Sequence, residues 1–418
     1  MKRDPIPLPM WSQVSDRSSA YFFQLVEIIG RHHAPTETQL EALESSYRST
    51  GEFLSECDEF NGVLLQVHAH GSRQLGTLIR PMDDAREGFD IDLIARLDRS
   101  AMTKYRGDNG PMLLLNQLHK ALTRYAEQHR LRIQRWERCI TLEYAGGMCA
   151  DIAPVIDDPL WSVPYGETHG RVPDRALRSY EPTNPRGYAK HFNMAASISP
   201  VFTVQERIVD ACESLTKADI TPLPDAQQVF ERLLCRLVQL LKLHRNVAFG
   251  GVGRNTGMAP TSIFITTLAA AAYAVEAPKP HTSPLALLLD IVETMPRHFT
   301  RVSGTDGVEE WVLPNPSAPH DNLASGMNAC ERQSAFTWWH QRLSADLQNI
   351  LDRIECRAGA DEILKLVEAA FGQRAARAIQ QDQLQRYNAS RQAGKIVIAT
   401  SIATPVTVNA RPHTFFGG

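Results

Sequence analysis

The chain has 418 residues, 43% of them hydrophobic, which is enough for a sizeable core and for roughly two or three domains. The formal net charge is −3 with 22% charged residues, so no strong overall field draws the protein to nucleic acid or to an anionic membrane. Met1-Lys2-Arg3-Asp4-Pro5 opens a proline-rich segment rather than an apolar leader, and no run of about 18 apolar residues occurs. The seven cysteines (Cys57, Cys139, Cys149, Cys212, Cys235, Cys330, Cys356) are scattered and include no C-x-x-C pair. A zinc ribbon or a disulfide framework is thereby disfavoured, and reduced thiols in a cytoplasmic setting are expected.

In chain order, an irregular lead-in over 1–14 precedes an amphipathic helix over about 15–31, where Tyr21, Phe22, Leu25, Ile28 and Ile29 recur at helical spacing. A second helix over 37–53 follows the Pro35 start signal. Residues 63–68 read as a strand that delivers Gly71-Ser72, and 89–97 as a second strand. A helix over about 112–129 carries Leu114, Leu118, Leu122 and Tyr125 on one face. Strands are expected near 132–138, 140–144 and 150–156. The next stretch, 157–200, holds Pro159, Pro164, Pro173, Pro182 and Pro185 and is expected to be a long irregular connection. From about 205 the pattern turns helical, with helices over 227–244, 262–274, 336–357 and 361–371, and 395–418 reads as a loosely attached tail.

The chemistry concentrates in 70–97. Residues two apart on a strand face the same side, so Asp90 and Asp92 share a face while Ile91 turns to the core. Two carboxylates on one face repel each other unless a cation lies between them, and hard oxygen ligands suit Mg²⁺ or Mn²⁺. Asp151 lies on a later apolar strand and can complete such a site. Three carboxylates holding two metals is the arrangement nucleotidyl transfer requires. Each signal alone is commonplace: a D-x-D at a solvated strand edge, a Gly-Ser turn. Their order along the chain, with Gly76-Thr77 between them, is what points to this chemistry.

The pattern G-S-x-x-x-G-T…D-I-D with a distant third Asp resembles the polymerase-β-like nucleotidyltransferases. More narrowly, the chain resembles the bacterial CD-NTases, the cGAS/DncV-like enzymes of CBASS anti-phage defence. The blocks T-N-P-R-G-Y-A-K-H-F (183–192), L-V-Q-L-L-K-L-H-R (237–245), P-T-S-I-F-I-T-T-L (260–268), L-P-N-P-S-A-P-H-D-N-L (313–323) and the closing R-P-H-T-F-F-G-G carry the likeness over about 60–418. It implies an α+β fold with a polymerase-β-like core, a mixed β-sheet, N-terminal spine helices and a C-terminal helical lobe. The expected division is a catalytic lobe with the N-terminal helices over 1–204, a helical lobe over 205–394 and a tail over 395–418. The nucleotide sites are expected in a cleft between the lobes.

The implied activity is synthesis of a cyclic di- or trinucleotide second messenger, such as a cGAMP, from NTPs with release of pyrophosphate. The alternative is a transferase with linear products, oligoadenylate synthetase-like or a terminal or protein nucleotidylating enzyme. By the resemblance, Asp90, Asp92 and Asp151 bind two Mg²⁺ ions, with Mn²⁺ able to substitute, and Ser72 with the amides around Gly71 grips the donor triphosphate. Lys242 would contact phosphates; a lysine snorkelling at a core margin is the other reading. Ser262 would touch the same nucleotide or cap its helix. His70 would touch a base or phosphate, or simply end its strand. Asn322 would sit near a base edge or, as the plainer role, cap a loop. The glycine-rich 250–257 lacks the G-K-[ST] ending of a P-loop and reads as a surface loop, and Asp83, Asp84 and Glu87 as a solvated cluster. No stable nucleic-acid partner and no membrane are expected. The exposed terminal Gly418 is compatible with a ubiquitin-transfer-like conjugating enzyme as partner.

Overall fold

The computed structural model describes residues 14–80, 89–144, 147–203, 233–250, 256–303, 309–392, 395–399 and 405–409. In chain order these form α1 (Asp16–His33), α2 (Glu37–Glu56), β1 (Leu64–His70), the short α3 (Gly71–Gln74), β2 (Asp90–Leu97), α4 (Ala101–Lys104), α5 (Gly110–His129), β3 (Arg132–Arg135), β4 (Ile140–Glu143), β5 (Cys149–Asp157), β6 (Gly170–Asp174), β7 (Ser179–Thr183), α6 (Pro185–Ala196) and β8 (Val201–Phe202). There follow α7 (Leu233–Phe249), α8 (Ser262–Glu276), β9 (Pro280–His281), α9 (Pro284–Thr294), β10 (Thr300–Ser303), β11 (Glu309–Val312), α10 (Cys330–Glu355), α11 (Ala360–Phe371), α12 (Gln373–Gln392), β12 (Lys395–Ala399) and β13 (Pro405–Asn409). The chain divides into two compact units: Ala34–Ala195 with Phe299–Ala329, and Met1–His33 with Ala196–His298 and Cys330–Gly418.

The first unit is built on a seven-stranded mixed sheet of order β1-β2-β5-β4-β3, with β6 paired to β5 and β7 to β6. The β1–β2 pair is antiparallel and the β2–β5 pair is parallel. One face of β2 is apolar: Ile91, Leu93, Ala95 and Leu97 are buried with Leu114, Leu118 and Leu122 of α5 and with Leu43 and Leu54 of α2. The other face carries Asp90 and Asp92. The period of two in D-I-D-L-I-A-R-L thus buries one row throughout, while the other is open at Asp90 and Asp92 and closes over at Ile94. Helix α2 starts in a capping box, where Thr36 Oγ1 accepts from the Gln39 amide and the Gln39 side chain accepts from the Thr36 amide.

Residues 157–200 are not the long irregular connection that their prolines suggest. They hold the β6–β7 hairpin and α6. Pro182 lies on β7, whose only strand partner among the described residues is β6, and a sheet edge tolerates a missing amide. Pro185 opens α6, where a helix has no use for that amide. Buried Asn184 then caps it by accepting from the Gly187 amide at 2.9 Å.

The second unit is helical. Helix α1 is buried along nearly its whole length, and Arg236 of α7 crosses it to pair with buried Glu27 at 3.1 Å. Gly30 makes room for that crossing, since a Cβ there would lie 2.2 Å from Arg236 Cδ. Helices α9 and α12 were not anticipated from the sequence, and the expected tail contains the antiparallel β12–β13 hairpin. Among the described residues no helix is long and apolar enough to cross a membrane, and Cys57, Cys139, Cys149, Cys235, Cys330 and Cys356 are free thiols.

Candidate active site

β1 runs extended to its last residue, His70, and the chain then reverses at Gly71 with φ +56°. Two things demand glycine at this turn. The left-handed conformation penalises a side chain, and a Cβ at Gly71 would lie 1.9 Å from Asp92 Oδ2 and 2.8 Å from Asp92 Cγ. The turn is closed by the Leu75 amide donating to the Gly71 carbonyl at 3.2 Å and the Thr77 amide to the Ser72 carbonyl at 2.9 Å. Gly76, at φ +69°, lets the chain leave in that direction. Ser72 is half-buried in the turn.

The sheet register decides which carboxylates meet. Asp92 pairs with His70 across β1–β2 and with Asp151 across β2–β5, and Asp151 pairs with Thr141 across β4–β5. One rung of the sheet therefore reads His70, Asp92, Asp151, Thr141. Two residues along, the next rung that faces the same side reads Asp90, Cys149, Glu143. Adjacent strands lie about 4.8 Å apart, so Asp92 and Asp151 can reach one cation, with Asp90 one rung away on the same face. Among the described residues no group of three His, Cys, Asp or Glu side chains already converges to hold a metal. The donor set is nonetheless the hard-oxygen kind that Mg²⁺ takes, and Gly71 keeps the space beside Asp92 open.

Burial raises the Asp151 carboxyl above its usual range, partly offset by a hydrogen bond from the Thr141 hydroxyl. Burial also pushes the Cys139 thiol up to about 12, helped by the negative charges of Asp151 and Asp92, so this thiol stays protonated at neutral pH. The His70 ring is held down to about 4 by burial, then by the charge of His68, against an opposing hydrogen bond with Gln74. At neutral pH it is an uncharged imidazole, able to exchange hydrogen bonds or stack but not to supply a positive charge to a phosphate.

The structure thus gathers His70, Gly71, Ser72, Asp90, Asp92 and Asp151 in the sheet unit, whereas Lys242 and Ser262 belong to the helical unit. Lys242 is buried on α7. Ser262 is the first residue of α8; the N-cap is Thr261, which makes no side-chain capping bond. The Ser262 hydroxyl instead accepts from Arg245 Nη2 at 2.9 Å. Asn322 ties its own loop: Oδ1 accepts from the Leu313 and Ala324 amides and Nδ2 donates to the Trp311 carbonyl. Asp83, Asp84, Glu87, residues 251–255 and the C-terminal glycine lie outside the described residues. Thr141 was not singled out from the sequence. It carries no motif, and only strand pairing brings it to Asp151.

The fold is that of a polymerase-β-like nucleotidyltransferase. Residues 28–195 match the SMODS model, the Second Messenger Oligonucleotide or Dinucleotide Synthetase domain. The chain is 24% identical over 387 residues to a c-di-GMP synthase of Roseivirga ehrenbergii, covering 91% of this chain and 93% of that one. It is 25% identical over 370 residues to the cyclic dinucleotide synthase CdnG of Bradyrhizobium diazoefficiens, covering 82% and 80%. The solved structure of the B. diazoefficiens CD-NTase CdnG in complex with GTP aligns with a TM-score of 0.62 at 18% identity, over 86% of this chain and 97% of that chain. Along most of its length the chain is thus similar to bacterial CD-NTases, and residues 28–195 match a domain of nucleotide-joining synthetases.

Proposed function

We propose that the protein joins NTPs into a cyclic di- or trinucleotide, releasing pyrophosphate at each transfer, as a second messenger of CBASS-type anti-phage signalling. The names of the similar proteins, a c-di-GMP synthase and a cyclic dinucleotide synthase, favour a two-nucleotide ring with guanine among its bases. The observation that carries the reading is the rung on which Asp92 and Asp151 stand side by side, against the Gly71 turn.

Asp90, Asp92 and Asp151 would hold two Mg²⁺ ions, Mn²⁺ being able to substitute. When bound, the ions neutralise the triphosphate and the leaving pyrophosphate and make the attacking hydroxyl more acidic. Amides of the turn at Gly71-Ser72, with the Ser72 hydroxyl, hold the donor phosphates so that the α-phosphorus faces the acceptor. Asp151, on the strand next to Asp92, lies nearest the attacking ribose hydroxyl. His70, uncharged, borders the donor and offers its phosphates hydrogen bonding or stacking rather than positive charge. Lys242, carried by the helical unit, contacts phosphates. The linear product then turns round, and the same carboxylates serve the closing transfer.

The test is to incubate purified protein with each NTP combination and Mg²⁺, and to identify products by nuclease digestion and mass spectrometry. A phosphatase-resistant product is expected, abolished together with pyrophosphate release in Asp90→Asn, Asp92→Asn and Asp151→Asn. A phosphatase-sensitive product would place the protein among the linear-product transferases. Undiminished turnover in Asp92→Asn would overturn the site.

A further inference from the structure

We infer that Thr141 is a positioning residue for Asp151, and that Trp136 fixes the direction in which the Thr141 hydroxyl donates. The inference rests on the metal-binding role proposed above for Asp151. The Thr141 Oγ1–H donates to Asp151 Oδ1, and the Trp136 indole Nε1–H donates to Thr141 Oγ1 at 2.8 Å. A hydroxyl has one proton and two lone pairs, whereas an indole N–H can only donate. With Trp136 occupying a lone pair, the hydroxyl proton is committed to Asp151. The chain of bonds therefore has one direction. It ties down one carboxylate oxygen and leaves Oδ2 for a cation or an attacking hydroxyl.

Each member of the relay is held by its own backbone. Thr141 is buried and sits directly opposite Asp151 in the antiparallel β4–β5 ladder. A β-branched residue in a strand has a stiff χ1, so its hydroxyl is aimed at small entropic cost. Trp136 opens the four-residue reversal between β3 and β4, where its amide donates to the Cys139 carbonyl at 2.9 Å. The tip of that reversal is pinned to β6 and the residue that follows it. Arg138 Nε meets Asp174 Oδ2 at 2.7 Å, Arg175 Nη2 meets Glu137 Oε1 at 2.7 Å, and the Arg175 amide donates to the Glu137 carbonyl at 3.0 Å. Trp136 is thereby fixed although about half of it is open to water. One hairpin supplies both donors, so the orientation of Asp151 is set by a segment that contains no carboxylate of the site.

Partners that orient a ligating carboxylate typically change metal affinity by 10–100-fold when removed. Mn²⁺ binding to the full-length protein, followed by electron paramagnetic resonance without nucleotide, reads this directly. Thr141→Val should weaken Mn²⁺ binding about 10-fold, and lower kcat by a similar factor with the KM for NTP little changed. Thr141→Ser should restore both to within about 3-fold, because the hydroxyl remains. Trp136→Phe, a change at an exposed position that leaves the fold intact, should shift both in the same direction by a smaller factor. Asp151→Asn serves as the reference. If it weakens Mn²⁺ binding while Thr141→Val and Trp136→Phe bind as wild type, the relay is refuted and the metal site stands. If Asp151→Asn itself binds Mn²⁺ undiminished, the proposed role of Asp151 fails. Should Thr141→Val not fold, Trp136→Phe and Thr141→Ser decide: equal affinity in Trp136→Phe and wild type refutes the relay.

Discussion

Gly71→Ala is the sharpest single perturbation of this site. The added methyl meets a carboxylate oxygen at 1.9 Å, well inside any real contact distance, so Asp92 Oδ2 must retreat by more than ~1 Å. The backbone also keeps φ +56°, where alanine costs about 1–2 kcal/mol relative to glycine. In a unit of this size that corresponds to a fall in Tm of roughly 2–8 °C. The protein therefore stays folded while one of its carboxylates is displaced. A misplacement of about 1 Å at a reacting centre costs on the order of 100-fold in rate. Pyrophosphate release should fall by at least that factor, with circular dichroism unchanged and Tm only modestly lowered. Turnover within about 3-fold of wild type would refute the argument, because it would mean that the position of the Asp92 carboxylate against the turn does not matter to the reaction.

Two further outcomes follow from packing and charge in the same unit. The Asn184 amide donates to the Tyr165 carbonyl at 2.9 Å and the Ser317 carbonyl at 2.7 Å, and accepts from Thr168 Oγ1 and the Gly187 amide. Asn184→Ala strands several of these groups in the interior, at about 2–4 kcal/mol, and should lower Tm by roughly 5–15 °C in calorimetry. The Arg124 guanidinium grips both oxygens of Glu59, at 2.7 and 2.8 Å, and holds that carboxyl down to about 2. A depressed carboxyl contributes stability that is present above its unfolded value near 4.5 and is lost as pH falls toward 2. Because Arg124 is partly exposed, the contribution is about 1–2 kcal/mol. The Tm difference between wild type and Glu59→Gln should be full at pH 6 and should close between pH 4.5 and pH 2. A difference independent of pH would exclude the ion pair as its cause.

The site also shows why a D-x-D motif needs a scaffold to become specific. Asp90 and Asp92 share a face by the geometry of any strand, yet carboxylates on a strand face are common. What distinguishes this pair is what flanks it: a turn that only glycine can make on one side, and a parallel strand bearing Asp151 on the other. The parallel pairing of β2 with β5 matters here. The two strands start from the same end of the sheet, so the N-terminal residues of both, Asp90, Asp92 and Asp151, come out together.

By itself the sequence determined what depends on near neighbours in the chain. Strand alternation placed Asp90 and Asp92 on one face and Ile91 in the core. Helical periodicity marked α1, α5, α7, α10 and α11, a start signal at Pro35 marked α2, and a run of small apolar residues marked α8, all of them local features of the chain. The α+β class came with the family resemblance, since the order of those segments alone fits α/β equally well. Tertiary structure decided what depends on pairing between distant segments. That Asp151 stands beside Asp92, about 60 residues earlier, is a matter of sheet register, and register is set by the packing of both strands on α2 and α5. The β6–β7 hairpin could not be read from 157–200 because its prolines are permitted only where the edge of the sheet and the first turn of α6 need no amide. The link from Trp136 through Thr141 to Asp151 carries no sequence signature at all. It exists because a short hairpin lays an ordinary threonine against a half-buried carboxylate.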